Sequence, residues 1–217
     1  MIDSLVVRVI ESAGVVLFSL QGIDAARKKG MDPVGAFGIG AVTALGGGTL
    51  RDVLLQRRPF FWVAHPGWLG VIAVLALLIV YVPPLARAAA TAGAQRVTTA
   101  LEALGLGLFA VAGAELSAAA GMPPGVSVLL GAVSAVAGGV LRDVLTNEQP
   151  VVFLHGELFA TAAAAGAAVY LGLVALGAPT GVATALGILA VVALRWASVV
   201  LGLRLPGPAP ESGPQGP

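Results

Sequence analysis

Long apolar runs, separated by short polar clusters, dominate the chain, and their lengths are those of membrane helices. A helix crosses about 30 Å of hydrocarbon in about 20 residues, and Gly and Pro are tolerated within it. Seven segments fit, counted here as spans 1 to 7: residues 5–26, 33–55, 68–87, 97–120, 123–145, 155–176 and 180–203. The pattern therefore predicts an all-α membrane protein with seven transmembrane helices.

The composition agrees with this class and excludes several others. Hydrophobic residues make up 58% of the 217 positions, charged residues 11%, and mean hydropathy is +0.95, whereas an ordinary soluble domain is about 25% charged. A net charge of +1 argues against a nucleic-acid-binding surface, which needs clustered Lys and Arg. Cysteine is absent, and His65 and His155 form no metal or nucleophile arrangement. We predict no enzyme, no cofactor and no metal site.

One segment of the sequence occurs twice with small changes. GAVTALGGGTLRDVL at 40–54 returns as GAVSAVAGGVLRDVL at 131–145, a displacement of 91 positions. The same displacement aligns acids and small residues elsewhere: Glu11 with Glu102, Asp24 with Glu115, Gly14 with Gly105, and Phe18 with Phe109. Biased composition alone gives many Ala and Gly matches, but matched acids and a matched Arg-Asp are harder to obtain by chance. We interpret the pattern as an internal duplication.

The duplication constrains the topology. Each copy holds three spans, an odd number, so the second copy must enter the membrane upside down. We therefore predict two inverted three-helix repeats plus a seventh helix and a disordered Pro/Gly-rich tail, with boundaries at 1–92, 93–178, 179–205 and 206–217. Inverted repeats commonly place a permeation or binding site at their interface, where helices are interrupted.

Spans 2 and 5, the second and fifth helices, each carry a glycine cluster: Gly46, Gly47 and Gly48 in one, Gly138 and Gly139 in the other. Each glycine weakens a helix by about 1 kcal/mol relative to Ala. Weakened backbone in lipid must be shielded by protein or face water. We expect both helices to be interrupted or kinked at these glycines. The alternative is that the glycines permit close helix packing.

A charged pair follows each glycine cluster, Arg51-Asp52 in span 2 and Arg142-Asp143 in span 5. Charges within a span cost roughly 2.5 to 3.5 kcal/mol and normally face a cavity or a partner. They therefore favour a water-lined path, although each arginine could instead snorkel at the helix end. Sequence neighbours point in different directions on a helix, so Arg51 need not pair with Asp52.

Two further features recur at the same displacement. Thr43 and Ser134 precede the glycines, and their hydroxyls could replace part of an ion's hydration shell or bond back to a helix carbonyl. Spans 1 and 4 share the pattern Gly-x-x-x-Phe-x-x-x-Gly. Residues four apart lie on one helix face, and we interpret this stripe as a packing surface.

The doubled motifs GGGTLRD at 46–52 and AGGVLRD at 137–143, followed by Pro59 and Pro150, carry a resemblance. The chain resembles the prokaryotic branch of the TRIC family, the trimeric intracellular cation channels, also known through a duplicated domain labelled glycine transporter. The resemblance covers about residues 5–203. It implies a homotrimer whose protomers each hold seven helices and a pore for K⁺ and Na⁺ between the two triplets. It also implies kinks at the five glycines and places Arg51, Asp52, Arg142 and Asp143 near the conduction path.

The distribution of basic residues predicts an orientation. With the N-terminus outside and the C-terminus cytoplasmic, seven basic residues fall inside and four outside, as the positive-inside rule favours. We expect a multi-pass protein of the cell (inner) membrane, in contact with membrane lipids. The alternative function is a secondary transporter of a small polar solute such as glycine, because inverted repeats with broken helices are the usual architecture of transporters.

Overall fold

A computed structural model describes residues 5–82, 92–153 and 158–202, with the backbone alone at 5–7 and 92–98. All regular secondary structure in these ranges is helical. Within the described ranges, seven helices have 15 residues or more: α1 Leu5–Lys28, α2 Pro33–Leu54, α3 Gly67–Tyr81, α4 Ala92–Ala119, α5 Pro124–Leu145, α6 Phe159–Ala175 and α7 Thr180–Leu201. A one-turn helix, Phe61–Ala64, precedes α3, and a 3₁₀ turn, Val151–Phe153, precedes α6.

The helices follow the seven predicted spans, but they differ in length. By length and apolarity, α1, α2, α4, α5 and α7 can cross a membrane, whereas α3 and α6 are shorter apolar helices. The predicted end of span 3 at Arg87, the start of span 6 at His155 and the tail 206–217 lie outside the described residues. The all-α membrane class is confirmed, and the count of seven spans stays a prediction.

Equivalent helices begin and end with similar local chemistry. α2 begins at Pro33, where proline needs no N–H partner, and the Asp32 side chain accepts a backbone N–H bond of 2.7 Å. α5 begins at Pro124 without a side-chain cap. α1 and α4 are followed by the left-handed glycines Gly30 and Gly121, with φ of 69° and 79°, a conformation that glycine adopts without Cβ strain.

The ends of α2 and α5 form the same turn. Gln56 and Asn147 both adopt positive φ, 53° and 55°. In each turn, the N–H of the following residue donates to the carbonyl oxygen of the helix aspartate at 2.8 Å. The displacement of 91 positions that aligns the sequences therefore also aligns the backbone at these turns.

α1 and α4 pack through reciprocal contacts. Phe18 stacks on Phe109, with ring centroids 5.3 Å apart. Phe109 also covers Gly14, and Phe18 covers Gly105, where an added Cβ would lie 2.5 and 3.2 Å from the rings. When one residue contacts the equivalent of a second, and the second contacts the equivalent of the first, the two elements are related by a two-fold axis.

α2 and α5 cross with the same reciprocity, at the predicted glycines. A Cβ on Gly47 would overlap the carbonyl oxygen of Ser134, and a Cβ on Gly138 would overlap that of Thr43. Both helices continue unbroken through these positions. The prediction of interrupted helices is wrong, because the glycines let two intact backbones touch. A kink at these glycines stays a prediction.

Candidate functional site

Arg51 and Asp52 form a fully buried ion pair at the end of α2. Arg51 Nε and Nη2 lie 2.9 and 2.8 Å from Asp52 Oδ1. The same Nη2 lies 2.8 Å from Oε1 of Glu11 on α1. The pairing of Arg51 with Asp52, which the sequence left open, is therefore observed, because the long arginine side chain folds back onto its neighbour. Snorkelling is also excluded for Arg51, whose side chain has no solvent exposure.

The loop after α2 completes this buried cluster. The backbone N–H of Phe61 donates to Asp52 Oδ2 at 2.9 Å, and Arg57 Nη1 lies 3.5 Å from Asp52 Oδ1. The Phe61 ring lies 5.6 Å from the Arg51 guanidinium carbon and fills the space beside Gly48. Breaking such a buried pair by removing one partner costs several kcal/mol, since the other charge is left uncompensated.

The second repeat builds a related but more open cluster. Arg142 Nε and Nη2 lie 2.8 and 2.7 Å from Asp143 Oδ1. Asp143 Oδ2 accepts a 3.2 Å bond from the N–H of Val151. The Arg142 and Asp143 side chains are 14% and 9% exposed, whereas those of Arg51 and Asp52 are 0% exposed. The two predicted charged pairs are therefore equivalent in bonding and different in access.

Helix α7 contributes a buried arginine whose partner the sequence did not indicate. Arg195 is 3% exposed, and its Nη2 lies 3.8 Å from Oε2 of Glu102, the equivalent of Glu11. Its guanidinium carbon also lies 3.9 Å from the centroid of the Phe159 ring. A lone arginine in span 7 was the only signal, and no spacing rule links α7 to the repeats.

Thr43 and Ser134 lie inside the α2–α5 crossing, 1% and 2% exposed. The Thr43 hydroxyl donates to the carbonyl oxygen of Ile39 at 2.6 Å. The back-bonding alternative is therefore the one observed for Thr43. Within the described residues, Ser134 Oγ has no hydrogen-bond partner.

Two cavities lie at the ends of the α1–α4 pair. The first, about 490 Å³, is lined by residues that include Glu11 of α1 and Leu116 of α4. The second, about 260 Å³, includes Asp24 of α1 and Glu102 of α4. The start of α1 thus meets the end of α4, and the end of α1 meets the beginning of α4. The two helices run antiparallel.

The cavities are lined by equivalent residues. Five lining positions of the first correspond to lining positions of the second at the displacement of 91: Glu11 and Glu102, Leu55 and Thr146, Arg57 and Glu148, Leu116 and Ala25, Ala120 and Lys29. A further cavity of about 510 Å³ shares Arg8, Glu11, Phe61 and His65 with the first. Arg142 and Asp143 line the second cavity directly.

Apolar helices, a duplicated three-helix unit and buried charged pairs define a multi-pass α-helical membrane protein. The family profile described as "Glycine transporter" matches residues 8–84 and again 99–175. The chain belongs to this family. The two matched ranges are themselves displaced by 91 positions, so the family unit and the repeat coincide.

Several relatives share the family and the fold. The chain is 35% identical over 161 residues to the UPF0126 inner membrane protein YadS of Escherichia coli, covering 74% of this chain and 75% of that protein. A UPF0126 membrane protein of Deinococcus radiodurans is 36% identical over 202 residues, covering 91% and 89%. The structure of a TRIC trimeric intracellular cation channel orthologue from Rhodobacter sphaeroides superposes with a TM-score of 0.83 at 36% identity, covering 92% of this chain and all of that one.

These relatives confirm the resemblance to prokaryotic TRIC channels. They are membrane proteins and cation channels. The chain is not an enzyme.

Proposed function

We propose that the chain is a monovalent cation channel, conducting K⁺ and Na⁺ through a path in each protomer between two inverted three-helix repeats. The observation that carries the proposal is the likeness to the Rhodobacter sphaeroides TRIC channel over that channel's whole length. The paired cavities at opposite ends of α1 and α4 support it, because a path between two compartments needs an entrance on each side.

Inverted repeats are the architecture that best explains the reciprocal contacts. The proposed units are residues 1–92 and 93–178, with the seventh helix within 179–205. Antiparallel α1 and α4 agree with a two-fold axis in the membrane plane, as does the crossing of α2 and α5 at Gly47 and Gly138. Such axes commonly carry the permeation site.

The charged pairs would act at the two entrances. Glu11 and Glu102 line the two cavities, and carboxylate oxygens at an entrance attract partly hydrated cations. Arg51 lies behind Glu11 and pairs with it at 2.8 Å, whereas Arg142 and Asp143 line the second cavity together with Glu102. We propose that α2 and α5 bend at Gly46, Gly47 and Gly48 and at Gly138 and Gly139 in a conducting state, which would turn freed carbonyl groups near Thr43 and Ser134 towards the path.

We also propose a homotrimer in the inner membrane, surrounded by lipid, with the N-terminus outside and the C-terminus cytoplasmic. The assembly rests on the TRIC channel likeness and the orientation on the excess of cytoplasmic arginine and lysine. Native mass spectrometry of the purified protein tests the trimer. Because the chain has no cysteine, a single Lys28→Cys in intact cells tests the orientation: we expect no reaction with an impermeant thiol reagent.

A vesicle flux assay tests the channel proposal. Protein is reconstituted into KCl-loaded vesicles, which are diluted into choline chloride with a protonophore so that H⁺ entry balances the charge, and K⁺ efflux is followed. We expect efflux that rises linearly with the K⁺ gradient and Na⁺ efflux of similar order. Vesicles with protein that stay as tight as empty ones would contradict the proposal.

A secondary transporter of a small polar solute such as glycine is the second candidate. One observation favours it: packed rings and backbones separate the two cavities, an arrangement that alternating access also requires. Saturable uptake of labelled glycine into the same vesicles, without K⁺ efflux, would favour the transporter over the channel.

A further inference from the structure

One pair of stacked rings lies between the two cavities, about midway along α1 and α4. Phe18 lies seven residues after Glu11 and six before Asp24, so it sits near the middle of a helix segment of about 20 Å. Phe109 lies seven residues after Glu102. Both rings are buried, with exposures of 6% and 1%, and they stack on each other.

The ring pair lies on the two-fold axis between the repeats. Phe18 and Phe109 are equivalent positions, and a residue that touches its own equivalent must lie beside the axis that relates them. Val15 and Leu106, another equivalent pair, are fully buried in the same apolar cluster. The midpoint between the cavities is therefore an apolar collar with two aromatic rings at its centre.

An apolar collar of this kind excludes ions. A cation that enters it loses water and gains no oxygen ligand in return, which is the basis of gating by hydrophobic constriction. The rings also rest directly on Gly14 and Gly105, so no side chain separates them from the opposite backbone. The path between the cavities is closed at this level.

The collar is also the part of the axis that can open with the least rearrangement. At the α2–α5 crossing, backbone lies against backbone at Gly47 and Gly138, and separation there requires movement of whole helices. A phenylalanine ring instead leaves its position by rotation about its side-chain bonds. We infer that the Phe18–Phe109 pair is the gate between the two cavities. This inference rests on the proposed cation path.

Single-channel recording in planar bilayers tests the gate. Phe18→Ser and Phe109→Ser each remove one ring and add a hydroxyl that water can wet. We expect each variant to raise the fraction of time spent conducting by roughly tenfold, the scale of the cost of keeping one hydroxyl in a dry apolar site, and to similar extents because the positions are equivalent. Phe18→Leu, which stays apolar, should remain close to the parent protein.

A ring deletion away from the axis provides the matched control. Phe37 of α2 is a partly buried ring at the same core cluster but is not a member of the stacked pair, and Phe37→Ser should leave the open fraction unchanged. If the parent protein conducts and both axial variants show the same open fraction as the parent, the gate inference is contradicted and the cation channel proposal is retained. If neither the parent protein nor any variant conducts, the channel proposal is contradicted. The thiol measurement below then tests whether the ring pair closes the space between the cavities.

Thiol accessibility tests closure without an electrical current. Ala120→Cys and Ala25→Cys place single thiols in the first and second cavities, in a chain that has no other cysteine. Vesicles receive a brief external pulse of Ag⁺, a small cation that thiolates bind, and the remaining thiols are counted with a maleimide after solubilisation. With the rings intact, each cavity is open to one side of the membrane only. A protein molecule in either orientation therefore exposes one of the two positions to external Ag⁺, and the reacted fractions of Ala120→Cys and Ala25→Cys should sum to one.

With Phe18→Ser and Phe109→Ser combined, both thiols should react almost completely, because Ag⁺ then passes between the cavities. The inference is overturned if both thiols react completely with the rings intact. It is equally overturned if the fractions still sum to one once both rings are gone. Size-exclusion profiles matching the parent protein confirm that the variants are folded.

Discussion

Two adjacent glycines in α5 have different structural roles. A Cβ on Gly138 would overlap the Thr43 carbonyl oxygen, whereas a Cβ on Gly139 would meet only Arg142 Nη2, at an ordinary 3.8 Å. The predicted helix weakness is therefore a packing requirement at one position and close to unconstrained at the next. The sequence alone does not distinguish a glycine required for packing from a glycine with free space beside it.

Substituting both glycines separates these roles. We expect Gly138→Ala to lower the free energy of unfolding by about 1–3 kcal/mol, since it forces the helices apart. Gly139→Ala should be neutral or raise it by up to about 1 kcal/mol, because alanine favours the helix. Denaturation in mixed detergent micelles measures both. Equal destabilisation by the two variants would contradict the close backbone contact.

The two aspartates predict a second contrast at the residue scale. The Asp52 side chain is fully buried and that of Asp143 is 9% exposed, although each accepts bonds from an arginine and a loop N–H. We expect Asp52→Ala to cost about 3–5 kcal/mol of stability, because it leaves Arg51 buried with one partner fewer.

The matched Asp143→Ala should cost less, about 1–2 kcal/mol, since water can reach part of the cluster. Thermal unfolding of both variants in the same detergent provides the comparison. An Asp143 variant as unstable as the Asp52 variant would show that exposure does not set the cost of these charges.

At the scale of elements, apolar run length predicts most of the helices. The observed bounds of α2 and α5 lie within one residue of spans 2 and 5, because proline marks each start and a polar turn each end. The one-turn helix Phe61–Ala64 is held by tertiary contacts with Asp52 and Arg51, which no local pattern reveals. The Arg195–Glu102 pair was missed for the same reason.

The glycine clusters show where sequence reasoning fails. Intrinsic propensity indicated broken helices, yet the fold keeps both helices intact because close contact between α2 and α5 offsets the weakness. Propensity describes an isolated helix, whereas the cost of a glycine depends on what packs against it. The Gly-x-x-x-Phe stripe, interpreted as a packing surface, was confirmed at Gly14 and Phe109.

Cross-linking tests the antiparallel arrangement of the repeats. Lys29 follows α1 and forms an ion pair with Glu148, which follows α5. We expect Lys29→Cys/Glu148→Cys to be joined within one chain by a short bis-maleimide. Lys29→Cys/Arg57→Cys is the matched control, because Arg57 is the equivalent of Glu148 at the opposite cavity. Failure of the Lys29→Cys/Glu148→Cys pair to cross-link would contradict the antiparallel arrangement, because parallel repeats would place the ends of α1 and α5 on opposite sides.

At the scale of the whole molecule, the two-fold relation holds for the backbone and fails for charge. Among residues lining the first cavity, Arg8, Arg57 and Arg58 face one acid, Glu11. The second cavity is lined by four acids and three basic residues. The equivalents of the three arginines are Thr99, Glu148 and Gln149. The two entrances therefore present different potentials to a cation.

This difference predicts rectification in symmetrical KCl, with larger currents when K⁺ enters from the second cavity. Exchanging the charges with Arg57→Glu and Glu148→Arg should reduce or reverse it. The effect should fade between 0.1 and 1 M KCl, because the Debye length falls from about 10 to about 3 Å. Rectification that changes neither with salt concentration nor with the Arg57→Glu and Glu148→Arg exchange would rule out the entrance charges as its cause.

We have proposed that cations pass through the protein along a path between the two repeats. Recording the reversal potential of the purified protein in a planar bilayer under a KCl gradient tests this claim most directly. We expect discrete current steps that reverse near the K⁺ equilibrium potential. Reversal near the Cl⁻ potential, or protein-containing bilayers that stay silent even with both axial rings replaced, would contradict it.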